Sequence, residues 1–60
     1  MTHLVCYAPT VERLTALINK FYYSQNWIIN QDMQAENTKN GKLLGIVKIT
    51  NKGKLYKFYN

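Results

Sequence analysis

Residues able to make or break bonds are scarce in this sequence: one histidine, one cysteine and three carboxylates in 60 residues. A structural zinc takes about four Cys, His or carboxylate ligands at short spacings, and His3 and Cys6 are the only soft candidates. On a strand these two point to opposite faces, because successive side chains alternate. They make a poor ligand pair; His3 reads as an ordinary strand residue and Cys6 as a packed thiol. Hydrolysis by paired carboxylates or by a metal needs acids that converge on a cleft. Glu12 falls on a helix, whereas Asp32 and Glu36 flank a polar loop, and nothing in the pattern brings the three together. No phosphate-loop, dinucleotide, dithiol or zinc-helix motif occurs. Gly41, Gly45 and Gly53 are too dispersed to cradle a phosphate. The expectation is a protein that is not an enzyme, with no cofactor and no metal, acting by binding.

The binding chemistry lies in the charge pattern. The net charge is +5, but all three acids lie in the first 36 residues against Arg13 and Lys20, whereas Lys39, Lys42, Lys48, Lys52, Lys54 and Lys57 follow with no acid among them. Such asymmetry points to nucleic acid or another acidic partner. In the last segment, lysines interleave with Tyr56, Phe58 and Tyr59. Lysines on strands neutralise phosphates while a ring stacks on a base. The competing reading is that lysines keep an edge strand from aggregating. A single arginine is also a poor supply for specific base contacts. The candidates for contact with nucleic acid or a protein partner are Lys42, Lys48, Lys54, Tyr56, Lys57 and Tyr59. Tyr23, expected to be exposed beside a packing Tyr22, is an interface candidate, since aromatic residues are enriched at interface hot spots. Trp27 reads as a core anchor.

Elements must position these side chains. His3 to Ala8 is rich in strand formers and apolar at both parities, the pattern of a covered strand. Pro9 stops it and suits the start of a helix, with Thr10 the better capping residue. Val11, Leu14, Leu17, Ile18 and Phe21 then recur at three- and four-residue steps and form one apolar stripe, so a helix is expected from about Pro9 to Ser24. Glu12, Arg13, Asn19 and Lys20 fall away from the stripe. Trp27-Ile28-Ile29 opens a second strand reaching toward Met33, with a short helix as the alternative. Gln34 to Gly41 is polar and carries the turn dipeptide Asn40-Gly41. The segments Lys42–Thr50 and Lys54–Tyr59 flank Asn51-Lys52-Gly53 as a hairpin. A two-residue turn at Lys52-Gly53 sets Ile49 opposite Tyr56, Val47 opposite Phe58 and, unfavourably, Lys48 opposite Lys57. A three-residue loop with Gly53 left-handed is the rival geometry. Gly45 inside a strand marks a bulge or a close backbone approach.

The expected architecture is therefore α+β: a small, mostly antiparallel sheet of three or four strands with one amphipathic helix on one face, in the order β-α-β-β-β, within a single domain spanning residues 1–60. In both hairpin registers strict alternation turns Leu44 and Ile46 away from Leu43, Val47 and Ile49. One helix covers one face, so Leu44, Ile46 and their lysine neighbours should form an open contact patch. A chain this short buries only about 60% of the surface its unfolded form exposes, and a lone cysteine allows no internal disulfide. Association with another chain is the remaining reinforcement. No apolar run is long enough to span a membrane, no secretory leader is evident, and a lone thiol fits a reducing cytoplasm. The abundance of Asn, Lys, Ile and Tyr fits an AT-rich genome such as that of a low-GC bacterium or its phage. Two functions follow as expectations. The first is a small adaptor or regulator that binds a protein, or itself as a homodimer; the second is a sequence-tolerant nucleic-acid-binding module.

Overall fold

Thr10 starts the only helix among the described residues, which are 4–50 and 52–60 of the computed structural model. His3 and Asn51, for which roles were expected above, lie outside them. Thr10 has extended backbone, and its hydroxyl accepts from the Arg13 N–H at 3.1 Å, which satisfies one of the donors a helix leaves unpaired at its start. Helix α1 runs over Val11–Phe21. Pro9 thus precedes the cap instead of occupying the first helical turn. At the other end Tyr23 adopts φ 51°, while the Tyr23 N–H donates to Lys20 O and the Ser24 N–H to Asn19 O. This is the double closure that a left-handed residue makes at a helix C-terminus, here with tyrosine in the place usually held by glycine. The helix ends before Ser24 because the chain reverses at Tyr23.

The fold is α+β, with every observed strand pairing antiparallel. Strands β1 (Val5–Ala8), β5 (Ile46–Ile49) and β6 (Tyr56–Tyr59) form one sheet in the order β1-β6-β5. Strands β2 (Trp27–Ile29), β3 (Ala35–Asn37) and β4 (Leu43–Leu44) form a second, in the order β2-β3-β4. Two small sheets thus replace the single sheet expected. Gly45 causes the division. It takes φ +65°, and a Cβ there would stand 2.6 Å from Tyr59 O and 2.8 Å from the Phe58 ring. Only glycine gives both the left-handed turn and the close approach. The continuous strand expected from Lys42 to Thr50 therefore breaks into β4 and β5, one in each sheet.

Strand β3 is the element that composition hides, because Ala-Glu-Asn reads as loop. Two asparagines make it possible. The Asn30 amide oxygen accepts from the Asp32 and Gln34 N–H groups, and its nitrogen donates to Glu36 Oε1 at 3.0 Å. This closes the turn that leads from β2 into β3. Asn37 is buried, and its amide oxygen accepts from the Lys39 and Asn40 N–H groups, closing the next turn, around Asn40-Gly41. Short polar side chains that bond nearby backbone stabilise such reversals.

The core consists of Leu4, Ala8, Leu14, Ile18, Ala35, Val47 and Phe58. Cys6, Tyr22, Trp27, Ile29, Met33, Leu44 and Tyr56 pack against it while half-buried. Helix α1 contributes Leu14 and Ile18, both wholly buried, and packs against β1, β2 and β6. Asn19, expected on the open side of the helix, is instead half-buried and joined to β2: its Nδ2 donates to Trp27 O and its Oδ1 accepts from the Trp27 N–H, both at 2.9 Å. No helix among the described residues is long and apolar enough to cross a membrane.

Candidate functional site

Sheet β1-β6-β5 has two unlike faces. Its inner face presents Cys6, Ala8, Tyr56, Phe58 and Val47 to the core. Alternation sends the intervening residues outward, where the register sets them in two rows. Val5 stands beside Tyr59 and Tyr59 beside Ile46; Tyr7 stands beside Lys57 and Lys57 beside Lys48. The face is open on its edge strands, where Val5, Tyr7 and Lys48 are exposed, whereas Lys57 and Tyr59 on the central strand are half-buried. Lys57 Nζ lies 5.8 Å from the Tyr7 ring centroid and 5.2 Å from that of Tyr59, and Lys48 Nζ lies 5.8 Å from Tyr59. Tyr7, Lys48, Lys57 and Tyr59 share one shallow depression with Thr50 and with Ile49, which by register belongs to the row of Tyr56 on the other face but is exposed at the strand's end. No carboxylate occurs on any of the three strands. The result is a flat, open surface of two ammonium groups and two phenol rings, suited to an extended anionic and aromatic ligand.

Not every sequence candidate belongs to this face. Lys48, Lys57 and Tyr59 do, together with Ile46, which is half-buried in the row of Tyr59. Tyr56 lies on the opposite face, packed against the core. Leu44 also faces the core, because the left-handed Gly45 resets the alternation between β4 and β5. Leu43 is left exposed instead. The patch expected from Leu44 and Ile46 side by side does not form. Lys42 immediately precedes β4 in the other sheet, and Lys54 sits in the turn between β5 and β6. The hairpin has the register that opposes Lys48 to Lys57 and Ile49 to Tyr56, closed by the Thr50 N–H donating to Leu55 O. Gly53 nevertheless takes the left-handed conformation of the rival geometry, at φ +66°. Tyr7 is the member that sequence reading missed. Its signal was the parity of the first strand: of Leu4 to Ala8, only Val5 and Tyr7 lie opposite the buried Leu4 and Ala8 and the half-buried Cys6.

A second surface feature lies at the end of the helix. An open cleft of about 590 Å³ is lined by Leu4, Cys6, Leu17, Lys20, Phe21 and Tyr23, and Tyr23 is 98% exposed. Burial pushes the Cys6 thiol above its usual range, which keeps it protonated and a poor nucleophile at neutral pH. Among the described residues no three His, Cys, Asp or Glu side chains come together to hold a metal. Comparison of the chain with models of known protein families, with curated proteins and with solved structures found no match.

Proposed function

We propose that this protein is a non-enzymatic, sequence-tolerant nucleic-acid-binding module that uses the outer face of sheet β1-β6-β5. The observation that carries the reading is Lys48 directly opposite Lys57 across two paired strands, on a face that is open at its edge strands and has no carboxylate. Like charges in directly opposed positions destabilise a sheet. A polyanion laid across the face converts that cost into attraction and releases counterions as it binds. The flanking tyrosines add ring surface that any base can use. Binding of labelled oligonucleotides at low salt tests the reading. The Lys48→Glu/Lys57→Glu protein should lose binding while retaining its far-UV circular dichroism. No binding by the unaltered protein at low salt would overturn it.

A second reading, a small adaptor or regulator that binds a protein or a second copy of itself, is supported by Tyr23. A bulky residue with φ 51° at a helix end costs about 1 kcal/mol relative to glycine. Here that residue is almost fully solvent-exposed beside an apolar cleft. Strain retained at an exposed aromatic is a pointer to contact. Light scattering over a concentration series tests the self-associating form: a strict monomer throughout removes it. Either function suits a reducing cytoplasm, where a lone thiol stays free.

A further inference from the structure

We infer that the ligand of this face is single-stranded, with two consecutive bases stacked on Tyr7 and Tyr59 and the phosphate between them held by Lys57. The inference rests on the nucleic-acid reading above and adds to it the form of the ligand and a role for Tyr7. Tyr7 pairs with Lys57 and Tyr59 with Val5, so the two tyrosines are diagonal neighbours on adjacent strands. Diagonal positions lie roughly 7–8 Å apart. Lys57 Nζ, within 6 Å of both ring centroids, stands between them. In a duplex, bases on one strand follow at about 3.4 Å and cover one another's faces, so platforms at the wider spacing cannot take successive bases from it. An unstacked strand, with its bases splayed out, can place one base on each ring.

Lys57 rests on the ring faces that the bases would occupy, and magnitudes decide that competition. A cation over an exposed ring contributes about 0.5–1 kcal/mol, less than the 1–3 kcal/mol or so of a stacked base. The lysine stem is flexible, so its ammonium moves to the linking phosphate and loses little. Lys48, beside Lys57, is placed for the next phosphate. Four-residue strands at about 3.3 Å per residue span roughly 13 Å, enough for two or three nucleotides and no more.

Anisotropy titrations at one low salt concentration would compare three labelled ligands of equal length: oligothymidylate, an abasic strand with the same phosphates, and a duplex. Running the strands in deoxy and ribo form identifies the preferred sugar through the 2′-hydroxyl. The oligothymidylate should bind at least about 10-fold more tightly than the abasic strand, and more tightly than the duplex. Tyr7→Leu/Tyr59→Leu should bring it down to the abasic level and leave abasic binding unchanged; Tyr7→Phe, which keeps the ring, should preserve the difference. Equal affinity for the abasic strand and oligothymidylate, or a duplex bound as tightly as the single strand, would overturn the stacking inference. Neither result would touch the lysine face, whose own failure is the absence of binding to all three ligands.

Discussion

Gly45 lies between β4 and β5, where the chain leaves one sheet for the other. Its φ of +65° turns the chain from one sheet into the other, and its bare α-carbon lets the Tyr59 carbonyl and the Phe58 ring approach. Gly45→Ala would force a side chain into the left-handed region and into contact with the backbone of β6. Together these should cost roughly 2–4 kcal/mol. A chain of this size has only about 3–9 kcal/mol of total stability, so the variant should be largely or partly unfolded at 37 °C, as thermal denaturation followed by circular dichroism would show. Gly53→Ala is the control: the backbone is also left-handed there, but nothing lies within 4 Å of an added Cβ, and the loss should be near 1 kcal/mol. Equal losses at the two sites would mean that the close approach at Gly45 carries no weight. That Gly45 is special was legible from its place inside a strand. Its consequence was not, because alternation assumes an unbroken strand, and a left-handed residue shifts every side chain beyond it to the other face. Leu44 was lost from the expected outer patch for that reason.

At the scale of elements, the helix was legible almost throughout. The stripe of Val11, Leu14, Leu17, Ile18 and Phe21 gave the helix by its period, but only Leu14 and Ile18 are fully buried, whereas Leu17 and Phe21 stay exposed at the cleft. The terminal hairpin was legible as well, but its register was not: two turn geometries fitted the sequence, and the pairing of Lys48 with Lys57 decides between them. Strand β3 was not, since its pairing depends on Asn30 and Asn37 closing the turns on either side, and such bonds leave no hydrophobic pattern to read. The candidate site was legible in β5 and β6 but not in β1, whose outward Tyr7 gains meaning only when β1 is paired with β6. The lysine pair separates a functional reading from a solubilising one at this scale. Lys48→Glu should replace a cross-strand repulsion by an opposite-charge pair with Lys57, raising stability by about 0.5–1 kcal/mol, a few degrees in Tm for so small a domain. The same change should lower oligonucleotide affinity at least about 10-fold at low salt, by removing one phosphate contact and adding a negative charge. A variant that is more stable and binds less well is the result expected of a face kept for an anion. Unchanged affinity alongside the gain in stability would leave Lys48 with a purely solubilising role.

For the whole molecule, the question is whether the net charge of +5 acts as a diffuse field or through one surface. The chain measures 34 × 24 × 18 Å, about two to four times the screening length of about 8 Å at physiological ionic strength, so lysines at opposite ends of it are largely screened from one another. Lys48 and Lys57 lie on the outer face of β1-β6-β5, with Lys52 and Lys54 in the turn at its end. Lys39 and Lys42 flank the turn that enters β4 in the other sheet. For a single strand, log affinity falls against log salt with a slope of about −0.7 per phosphate neutralised. Two phosphates on the face, held by Lys57 and Lys48, and a third met by the turn lysines predict about −1.4 to −2.1 for the unaltered protein. Lys48→Gln/Lys57→Gln should make the slope shallower by about 1.4. Lys39→Gln/Lys42→Gln removes the same charge from the other sheet and should alter it by less than about 0.5. Anisotropy titrations at several salt concentrations measure all three slopes. If the two double variants shift the slope equally, the protein attracts nucleic acid by its overall charge, and the sheet face has no particular claim to the ligand.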